Sequence, residues 1–442
     1  MNIYTKNIPI RATYDVIVLG SGSAGAVAAL AAARNGARTL LLERLPFVGG
    51  TSTAVLDTFY GFYTPGTKSI KVVGGIADDV MTRLKGYAAL LERPNTHGAG
   101  TGVTYHPEYL KVVWESLLAE AGVDILLNAW VQDVLTEGDR PDTLVTATKM
   151  GLAGFRAKFF VDASGDADLC HFAGIPYELA GDIDPAQTLT TTFKLCNVDV
   201  VRRKTVGKAE FHALMAEAAE SGQYQLPRKE GSDHITPVDH MTATIMTRLP
   251  SFRRDGDRVV NATDPDLLSS AEIEGRRQAI EYIRFLRDKV PGYEKAQLST
   301  FGAQIGVRET RRVYGEYRIN REDVLTARKF DDQIALCGAP IEDHHGGADT
   351  AWAYLPDGDC CGIPLGTLIP KDSRNVIVAG RCFSATHDAH ASIRSMAQCM
   401  AQGQAAGTVA TMASKSGRPA QELPFAAVRD QLLDDGAILQ MP

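Results

Sequence analysis

The feature that most constrains this chain of 442 residues is a glycine-rich turn between a short apolar strand and an alanine-rich helix. From Tyr14 the sequence reads YDVIVLGSGSAGAVAALAAARNGARTLLLER, and this order of segments predicts a complete βαβ unit. Gly20 permits a tight bend, Gly22 lets the backbone approach a pyrophosphate, and Gly25 lets the helix pack closely on the strand. The positive end of the helix dipole then faces the phosphates.

An acidic residue closes this unit. Glu43 ends the second strand, where a carboxylate can accept hydrogen bonds from the hydroxyls of an adenosine ribose. Ser23 and Ala24 lie at the start of the helix, beside the expected phosphates. Strand, glycines, helix, strand and acid in this register predict a bound dinucleotide with a free 2′-hydroxyl.

A second turn of small residues follows the unit, within the stretch ERLPFVGGTS. It resembles the continuation of the glutathione-reductase-type FAD fold, in which this turn passes beside the pyrophosphate and the flavin. The resemblance implies noncovalent FAD rather than NAD. It also implies that the cofactor is contacted by Arg44, Gly49, Gly50, Thr51 and Ser52.

Two later segments extend the resemblance. FRAKFFVDASGDADL, residues 155–169, resembles a second FAD fingerprint, and the segment 375–413 resembles the last one, in which a strand ends at Gly380 before a long helix. In such proteins that helix directs its N-terminus at the flavin, where its dipole favours the negative charge of reduced flavin. The cofactor contacts that the resemblance implies here are Val131, through its backbone to the adenine, Ala163, Gly165, Asp166, Gly380 and Ser395.

Together with GVRETRRVYGEY and IPLGTLIP, these motifs resemble the broad FAD-dependent oxidoreductase family related to fumarate-reductase flavoproteins. The implied fold class is α/β, with a Rossmann-like FAD/NAD(P)-binding three-layer (β-β-α) domain and an inserted α+β substrate domain. One departure is Arg381, which stands where many relatives have an acidic residue. We expect its guanidinium to pair with pyrophosphate oxygens.

The pattern of apolar residues predicts how the chain is divided. Residues 1–184 and 333–442 are expected to form the FAD-binding domain, with residues 185–332 as the inserted substrate domain. Helices are predicted over residues 76–92, 107–121 and 269–290, and strands over residues 123–128, 131–136, 143–149 and 333–337.

Four residues are candidates for the chemistry at the flavin. Arg394 opens the last helix much as an arginine does in fumarate-reductase relatives, where it holds a substrate carboxylate, and Arg308 is a second anchor. Pyrophosphate contact or a structural ion pair is the alternative for Arg394. His345 is predicted to act as a catalytic acid or base, with His344 as a second choice, and ordinary loop histidines are the alternative. Tyr60, Tyr63, Trp352 and Tyr354 are candidate pocket walls, or else core residues.

Other features exclude several functions. A single GxGxxG unit and no cysteine pair after Gly50 argue against a disulfide reductase. The seven scattered cysteines indicate reduced thiols, with a Cys360–Cys361 pair as the alternative, and the spacing of the histidines predicts no metal site.

Composition limits the partners. A net charge of -7 with mixed signs predicts no nucleic-acid partner, and the lack of a long apolar run predicts a cytoplasmic protein without a membrane span. We expect a small-molecule substrate, an unidentified electron acceptor or donor, and a possible homo-oligomer. The predicted activity is hydride transfer between flavin N5 and a polar or anionic substrate. An electron-transfer subunit working with a partner chain, or a non-redox isomerase or hydratase, is the alternative.

Overall fold

The structure is a computed structural model that describes residues 6–94, 98–345 and 350–441. The helices are α1 (Ser23–Arg34), α2 (Thr51–Ala54), α3 (Ile76–Gly86), α4 (Pro107–Glu120), α5 (Asp168–Phe172), α6 (Val200–Arg203), α7 (Lys208–Glu220), α8 (Pro265–Lys289), α9 (Arg321–Leu325), α10 (His387–Ile393), α11 (Met396–Ser416) and α12 (Phe425–Asp434). The strands are β1 (Ile10–Leu19), β2 (Thr39–Leu42), β3 (Thr58–Phe59), β4 (Leu90–Pro94), β5 (Thr101–Tyr105), β6 (Asp124–Leu126), β7 (Trp130–Glu137), β8 (Arg140–Thr148), β9 (Gly151–Asp162), β10 (Tyr177–Leu179), β11 (Phe193–Cys196), β12 (Ser232–Ile235), β13 (Thr242–Ile245), β14 (Phe252–Asp255), β15 (Arg258–Asn261), β16 (Gln297–Phe301), β17 (Arg311–Val313), β18 (Gln333–Cys337), β19 (Ile341–Asp343), β20 (Ala351–Ala353), β21 (Cys361–Pro364) and β22 (Val376–Val378).

A seven-stranded sheet forms the centre of the molecule, in the order β6-β2-β1-β9-β8-β7, with β22 also paired to β9. The pairs β6–β2, β2–β1, β1–β9 and β9–β22 are parallel, whereas β7 and β8 form an antiparallel hairpin along the first half of β9. Strands β1 and β2 are buried on both faces over their last residues, as expected for parallel strands covered by helices. The predicted α/β class with a parallel Rossmann-like sheet is confirmed.

Helices α1 and α11 pack at unusually close range because of two glycines. A Cβ on Gly403 would lie 2.1 Å from the backbone oxygen of Ala24, and a Cβ on Gly407 would lie 2.1 Å from that of Ala28. The contacts advance together along both helices, so the helices run in the same direction, and α11 begins about two turns before this contact. The first turns of α11 therefore extend beyond the start of α1.

Three helix boundaries differ from the sequence prediction. The helix expected over residues 76–92 ends at Gly86, because Ala88 turns the chain with φ of 53° and β4 then pairs with β5. Helix α8 begins earlier, at Pro265, where the side chain of Asp264 accepts the N–H groups of Asp266 and Leu267. Arg394 does not open the last helix, since it lies between the end of α10 and the start of α11.

Two smaller apolar clusters lie outside the main core. One joins α7 and α8 to β11, within a sheet ordered β12-β13-β11-β16, and the other contains Leu189, Leu249 and Ile305. Val313, Ile319 and Val324 belong instead to the main core, although the predicted boundary at residue 332 places them in the insertion. The buried clusters outside the main core thus run from about residue 189 to residue 305, and the predicted division into domains stays a prediction. In the described part of the chain, none of the helices has the length and apolar character that crossing a membrane requires.

Candidate functional site

A cavity of about 400 Å³ lies at the carboxyl ends of the parallel strands. Its wall includes Leu19 at the end of β1, Leu42 at the end of β2, and Ala163 and Ala379, which directly follow β9 and β22. The starts of α1 and α11 form another part of the wall, and chain segments from the smaller clusters close the remainder. Open α/β sheets bind ligands at this edge.

Most of the residues predicted from the sequence meet in this cavity. The predicted cofactor residues in its wall are Gly20, Gly22, Ser23, Ala24, Glu43, Arg44, Gly50, Thr51, Val131, Ala163, Gly165, Asp166, Gly380, Arg381 and Ser395. Of the predicted catalytic residues, Arg308, His344 and Arg394 also lie in the wall. Gly25, Gly49, Ser52 and His345 do not line it.

Gly25, Gly49 and Ser52 instead shape the turns behind the wall. A Cβ on Gly25 would lie 1.8 Å from the backbone oxygen of Gly20, so this glycine permits the close helix–strand contact. Gly49 has φ of 119° and donates its N–H to the backbone oxygen of Ser21. The hydroxyl of Ser52 donates to the backbone oxygen of Gly49 at 2.7 Å. The second turn is thereby tied to the first.

The start of α1 has the properties of an anion site. Gly22 occupies the N-cap position, no side chain caps the helix, and a Cβ on Gly22 would meet no atom within 4 Å. The hydroxyl of Ser23 is buried and has no hydrogen-bond partner among the described residues. Uncapped N–H groups and an unpaired hydroxyl at a helix N-terminus suit a phosphate oxygen. These residues therefore fit the pyrophosphate of FAD.

Glu43 is buried and held in one orientation. Its Oε2 accepts the N–H of Ser21 at 2.9 Å and the hydroxyl of Ser21 at 2.6 Å, and its Oε1 accepts the N–H of Leu45 at 2.8 Å. A carboxylate has about four acceptor positions, so capacity remains for a ribose hydroxyl. Sequence reasoning missed Ser21, although a hydroxyl residue between two glycines of the turn was visible.

Trp130 is a second residue that sequence reasoning missed. It lies in the cavity wall beside Val131, and 53% of it is exposed. The guanidinium of Arg44 lies 5.4 Å from the centre of its ring and also donates to Oε1 of Gln304 at 2.5 Å. A tryptophan directly before Val131, the predicted adenine contact, was the available signal.

Arg381 forms an ion pair inside the protein. Its Nη2 donates to Oδ1 of Asp166 at 2.8 Å, and the hydroxyl of Thr310 donates to the same oxygen at 2.7 Å. Burial opposes ionisation of Asp166, but Arg381 and Thr310 lower its pKa below the usual value. Nearby, burial and the charge of Asp166 raise the pKa of Asp168 to about 6. The guanidinium that the sequence predicts to bind the pyrophosphate therefore lies beside a carboxylate.

Arg308 and Arg394 lie together at one end of the cavity. Nη1 of Arg308 donates to the backbone oxygen of Thr188 at 2.6 Å and to the hydroxyl of Thr190 at 2.7 Å. Nη2 of Arg394 donates to Oε1 of Gln187 at 2.8 Å, while its buried Nε has no described hydrogen-bond partner. Burial and then the charge of Arg394 lower the pKa of Arg308 well below its usual value. Burial also lowers the pKa of Arg394.

Glu342 supplies the carboxylate at this end. Burial opposes its ionisation, but the contact with His344 and the charges of Arg394 and Arg308 lower its pKa to about 2. Nε2 of His344 lies 3.0 Å from Oε1 of Glu342, and its Nδ1 lies 3.1 Å from the hydroxyl of Thr350. Burial and the charge of Arg308 lower the pKa of His344 well below its usual value. Both nitrogens of this imidazole are occupied.

His345 does not line the cavity, and the proton-transfer role predicted for it stays a prediction. Nδ1 of His345 lies 2.8 Å from Oδ2 of Asp343, and 44% of the side chain is exposed. Oδ1 of Asp343 also accepts the backbone N–H of His345 at 2.9 Å. Asp343 therefore holds both the backbone and the ring of His345. Residues 346–349, which directly follow His345, lie outside the described residues.

The other predicted residues have varied positions. Tyr60 lines the cavity, whereas Tyr63, Trp352 and Tyr354 do not. All seven cysteines are free thiols, including Cys360 and Cys361. Within residues 6–94, 98–345 and 350–441, no cluster of three or more His, Cys, Asp or Glu side chains is arranged to hold a metal ion.

The chain belongs to the family described as FAD dependent oxidoreductase, whose model matches residues 15–432. It is therefore a flavoenzyme of the oxidoreductase class, and FAD is its cofactor, as the sequence motifs predicted.

Individual relatives are more distant. Digeranylgeranylglycerophospholipid reductase of Thermoplasma acidophilum is 26% identical over 201 residues, which cover 42% of this chain and 48% of that protein. The tRNA uridine 5-carboxymethylaminomethyl modification enzyme MnmG of Caldicellulosiruptor saccharolyticus is 29% identical over 262 residues, covering 53% of this chain and 37% of that protein. This chain thus spans less than half the length of either relative. A solved geranylgeranyl bacteriochlorophyll reductase-like protein from T. acidophilum has 13% identity and a TM-score of 0.47, covering 97% of this chain and 84% of that one.

Proposed function

We propose that this enzyme transfers hydride between flavin N5 and a small organic acid, bound by Arg308 and Arg394. When bound, FAD supplies the two-electron chemistry, and the protein supplies orientation, charge and protons. The two arginines, His344 and the first turn of α11 all contribute to one cavity wall. The proposal takes FAD to be held noncovalently through the α1 and α11 starts.

The observation that carries the proposal is the unbalanced charge of two arginines at one end of the cavity. The hydrogen bonds of Arg308 go to a neutral carbonyl and a neutral hydroxyl, and those of Arg394 go to an amide and to the backbone oxygen of Glu342. Glu342 is the acidic residue of the wall that affects the pKa of both arginines. Buried cations normally have anionic partners, so a substrate carboxylate would complete this arrangement.

The guanidinium of Arg394 is held so that it can orient such a group. Gln187 and the backbone of Glu342 fix its Nη2. Its Nε remains without a described acceptor in a buried position. A carboxylate could bind such a fork through two parallel hydrogen bonds, which would fix its rotation as well as its position. Glu342, which contacts His344, is the carboxylate whose charge acts on both arginines.

The test is anaerobic absorbance spectroscopy of the FAD-loaded protein with hydroxy acids, unsaturated acids and uncharged polyols. We expect one acid to bleach the oxidised flavin, or to reoxidise flavin reduced with dithionite. Arg394→Gln should weaken the binding of that acid about 10–100-fold, which corresponds to the loss of a charged hydrogen bond of about 1.5–3 kcal/mol.

The matched control is Arg429→Gln, because Arg429 lies on α12, is 49% exposed and pairs with Asp430. It should bind the acid like the parent protein. Reaction with polyols but with none of the acids would contradict the proposal, as would equal binding by Arg394→Gln and the parent.

A further inference from the structure

We propose that Tyr60 is the proton-transferring residue of this cavity and that Arg93 is the residue that positions its phenol. The inference rests on the proposed function, because a proton must move when an organic acid exchanges hydride with a flavin.

Three other titratable groups at this end of the cavity already have hydrogen-bond partners within the protein. Both nitrogens of His344 are occupied, while Glu342 is ionised and held by His344. Burial raises the pKa of the Cys399 thiol to about 12, and its Sγ donates to the backbone oxygen of Arg394. Tyr60 differs from these groups, since its Oη accepts a hydrogen bond from Nη2 of Arg93 at 3.4 Å and its own O–H has no acceptor among the described residues.

The backbone fixes Tyr60 against the start of α11. Its carbonyl oxygen accepts the N–H of Ala397 at 3.4 Å, and the next carbonyl, of Gly61, accepts Nε2 of Gln398 at 2.6 Å. Gly61 has φ of 91°, and a Cβ there would lie 1.9 Å from Oε1 of Gln398. Only glycine fits this turn. The phenol is therefore carried by a rigid connection to the helix whose N-terminus lines the cavity.

Arg93 is itself held by a line of hydrogen bonds. Its Nε donates to Oγ1 of Thr104 at 3.1 Å, and this hydroxyl lies 3.0 Å from Oγ1 of Thr58. Nε2 of His234 lies 3.3 Å from the Thr58 hydroxyl and 2.7 Å from Oδ1 of Asp57. Asp57 also pairs with Lys194 at 3.3 Å. This line ends in a buried carboxylate, so the guanidinium has a fixed direction toward Tyr60.

The charges facing Tyr60 define the protonation state of its phenol. Burial raises the pKa of Tyr60, Arg93 lowers it, and Glu342 and Asp57 raise it. The phenol is therefore protonated at neutral pH and can donate. Once the proton has left, the guanidinium of Arg93 is the cation placed to stabilise the phenolate.

In the reductive direction, the phenol of Tyr60 would donate its Oη proton to one carbon of a substrate carbon–carbon double bond, and the neighbouring carbon would receive the hydride that bound, reduced FAD would supply. The double bond would be lost and two C–H bonds would form, with the two electrons supplied by the cofactor. The phenolate then recovers a proton from water. In the oxidative direction the phenolate removes the proton, so that direction should accelerate as the pH rises toward the pKa of Tyr60.

Tyr60→Phe removes the hydroxyl and keeps the ring, and Tyr63→Phe is the matched control outside the cavity wall. Oxalate binding to the FAD-loaded protein is measured by calorimetry at neutral pH. We expect Tyr60→Phe to bind oxalate about 10-fold more weakly, since a hydrogen bond to a charged acceptor is lost. The rate of flavin reoxidation by an unsaturated acid should fall by about 100-fold or more. Tyr63→Phe should match the parent in both measurements.

A third measurement needs no substrate. The ultraviolet band of tyrosinate is titrated in the parent, in Tyr60→Phe and in Arg93→Gln, and the difference between the first two isolates Tyr60. Loss of the guanidinium should move that titration to higher pH, whereas a merely structural role of Arg93 would leave it in place.

The outcomes separate the two proposals. A parent protein that binds no oxalate would contradict the anion site of the proposed function. A parent that binds oxalate, with unchanged binding and reoxidation in Tyr60→Phe, would contradict the role of Tyr60 alone. An unchanged tyrosinate titration in Arg93→Gln would overturn the positioning role of Arg93.

Discussion

Gly22 and Gly25 lie three residues apart at the start of α1, and the structure predicts different effects when each is replaced by alanine. Gly22 has φ of -59° and ψ of -178°, which alanine adopts without strain, and its Cβ would point into open space in the cavity. The Cβ of Gly25→Ala would lie 1.8 Å from the backbone oxygen of Gly20. The first change therefore affects the ligand, and the second affects the fold.

The magnitudes follow from these positions. For Gly22→Ala, the free energy of unfolding of the flavin-free protein should change by no more than about 0.5 kcal/mol. A methyl group there keeps the pyrophosphate from the N–H groups of α1. Loss of one hydrogen bond to a charged group, about 1.5–3 kcal/mol, weakens FAD binding about 10–100-fold. For Gly25→Ala, the displaced turn should cost about 1–3 kcal/mol of stability or more.

The two glycine variants are compared in two titrations. Urea denaturation of the flavin-free proteins gives the free energies of unfolding, and fluorescence of added FAD gives the dissociation constants. The reasoning is refuted if Gly22→Ala binds FAD as tightly as the parent protein, or if it loses as much stability as Gly25→Ala.

Two further predictions concern how the burial of a side chain affects its chemistry. Burial opposes ionisation of Asp57, but His234 and Lys194 lower its pKa to about 2. Because this folded pKa lies below the unfolded value, its stabilising contribution is present above about pH 4 and is lost as the pH falls toward 2. Asp57→Asn should therefore flatten that part of the plot of Tm against pH, and an unchanged slope would exclude Asp57 as a cause. Cys196 is the single cysteine that is not buried, so one thiol should react with a thiol reagent in the native protein and seven should react in urea.

The βαβ unit could be predicted because its determinants are local. Gly20, Gly22, Gly25 and Glu43 stand in one short segment, and each has a conformational or chemical requirement that the sequence itself displays. The match of later motifs to an FAD family gave the remaining strand ends. Helix ends were less predictable, since the apolar residues around Leu90 suit a helix or a strand until β5 is known to pair with them.

The arrangement at the end of the cavity that contains Arg308 and Arg394 depends on tertiary contacts that no local sequence pattern shows. His345 is a candidate by residue type, and only the structure shows that its ring contacts the carboxylate of Asp343 and does not line the cavity. Tyr60 is one of 14 tyrosines, and its distinction comes from Gln398, more than three hundred residues away, which binds the following turn. The glycine after Tyr60 was the available signal, because Gly61 marks a special backbone conformation.

Helix α8 connects two parts of the molecule that a mutational screen would treat as separate. Leu268 and Glu272 in its first turns line the cofactor cavity, while Tyr282 and Phe285, several turns later, are completely buried in the apolar cluster that joins α7 and α8 to β11. A substitution at Phe285 would tilt or loosen the same helix that closes the cavity. A colourless purified variant would then report a disturbed wall rather than a lost contact with the flavin.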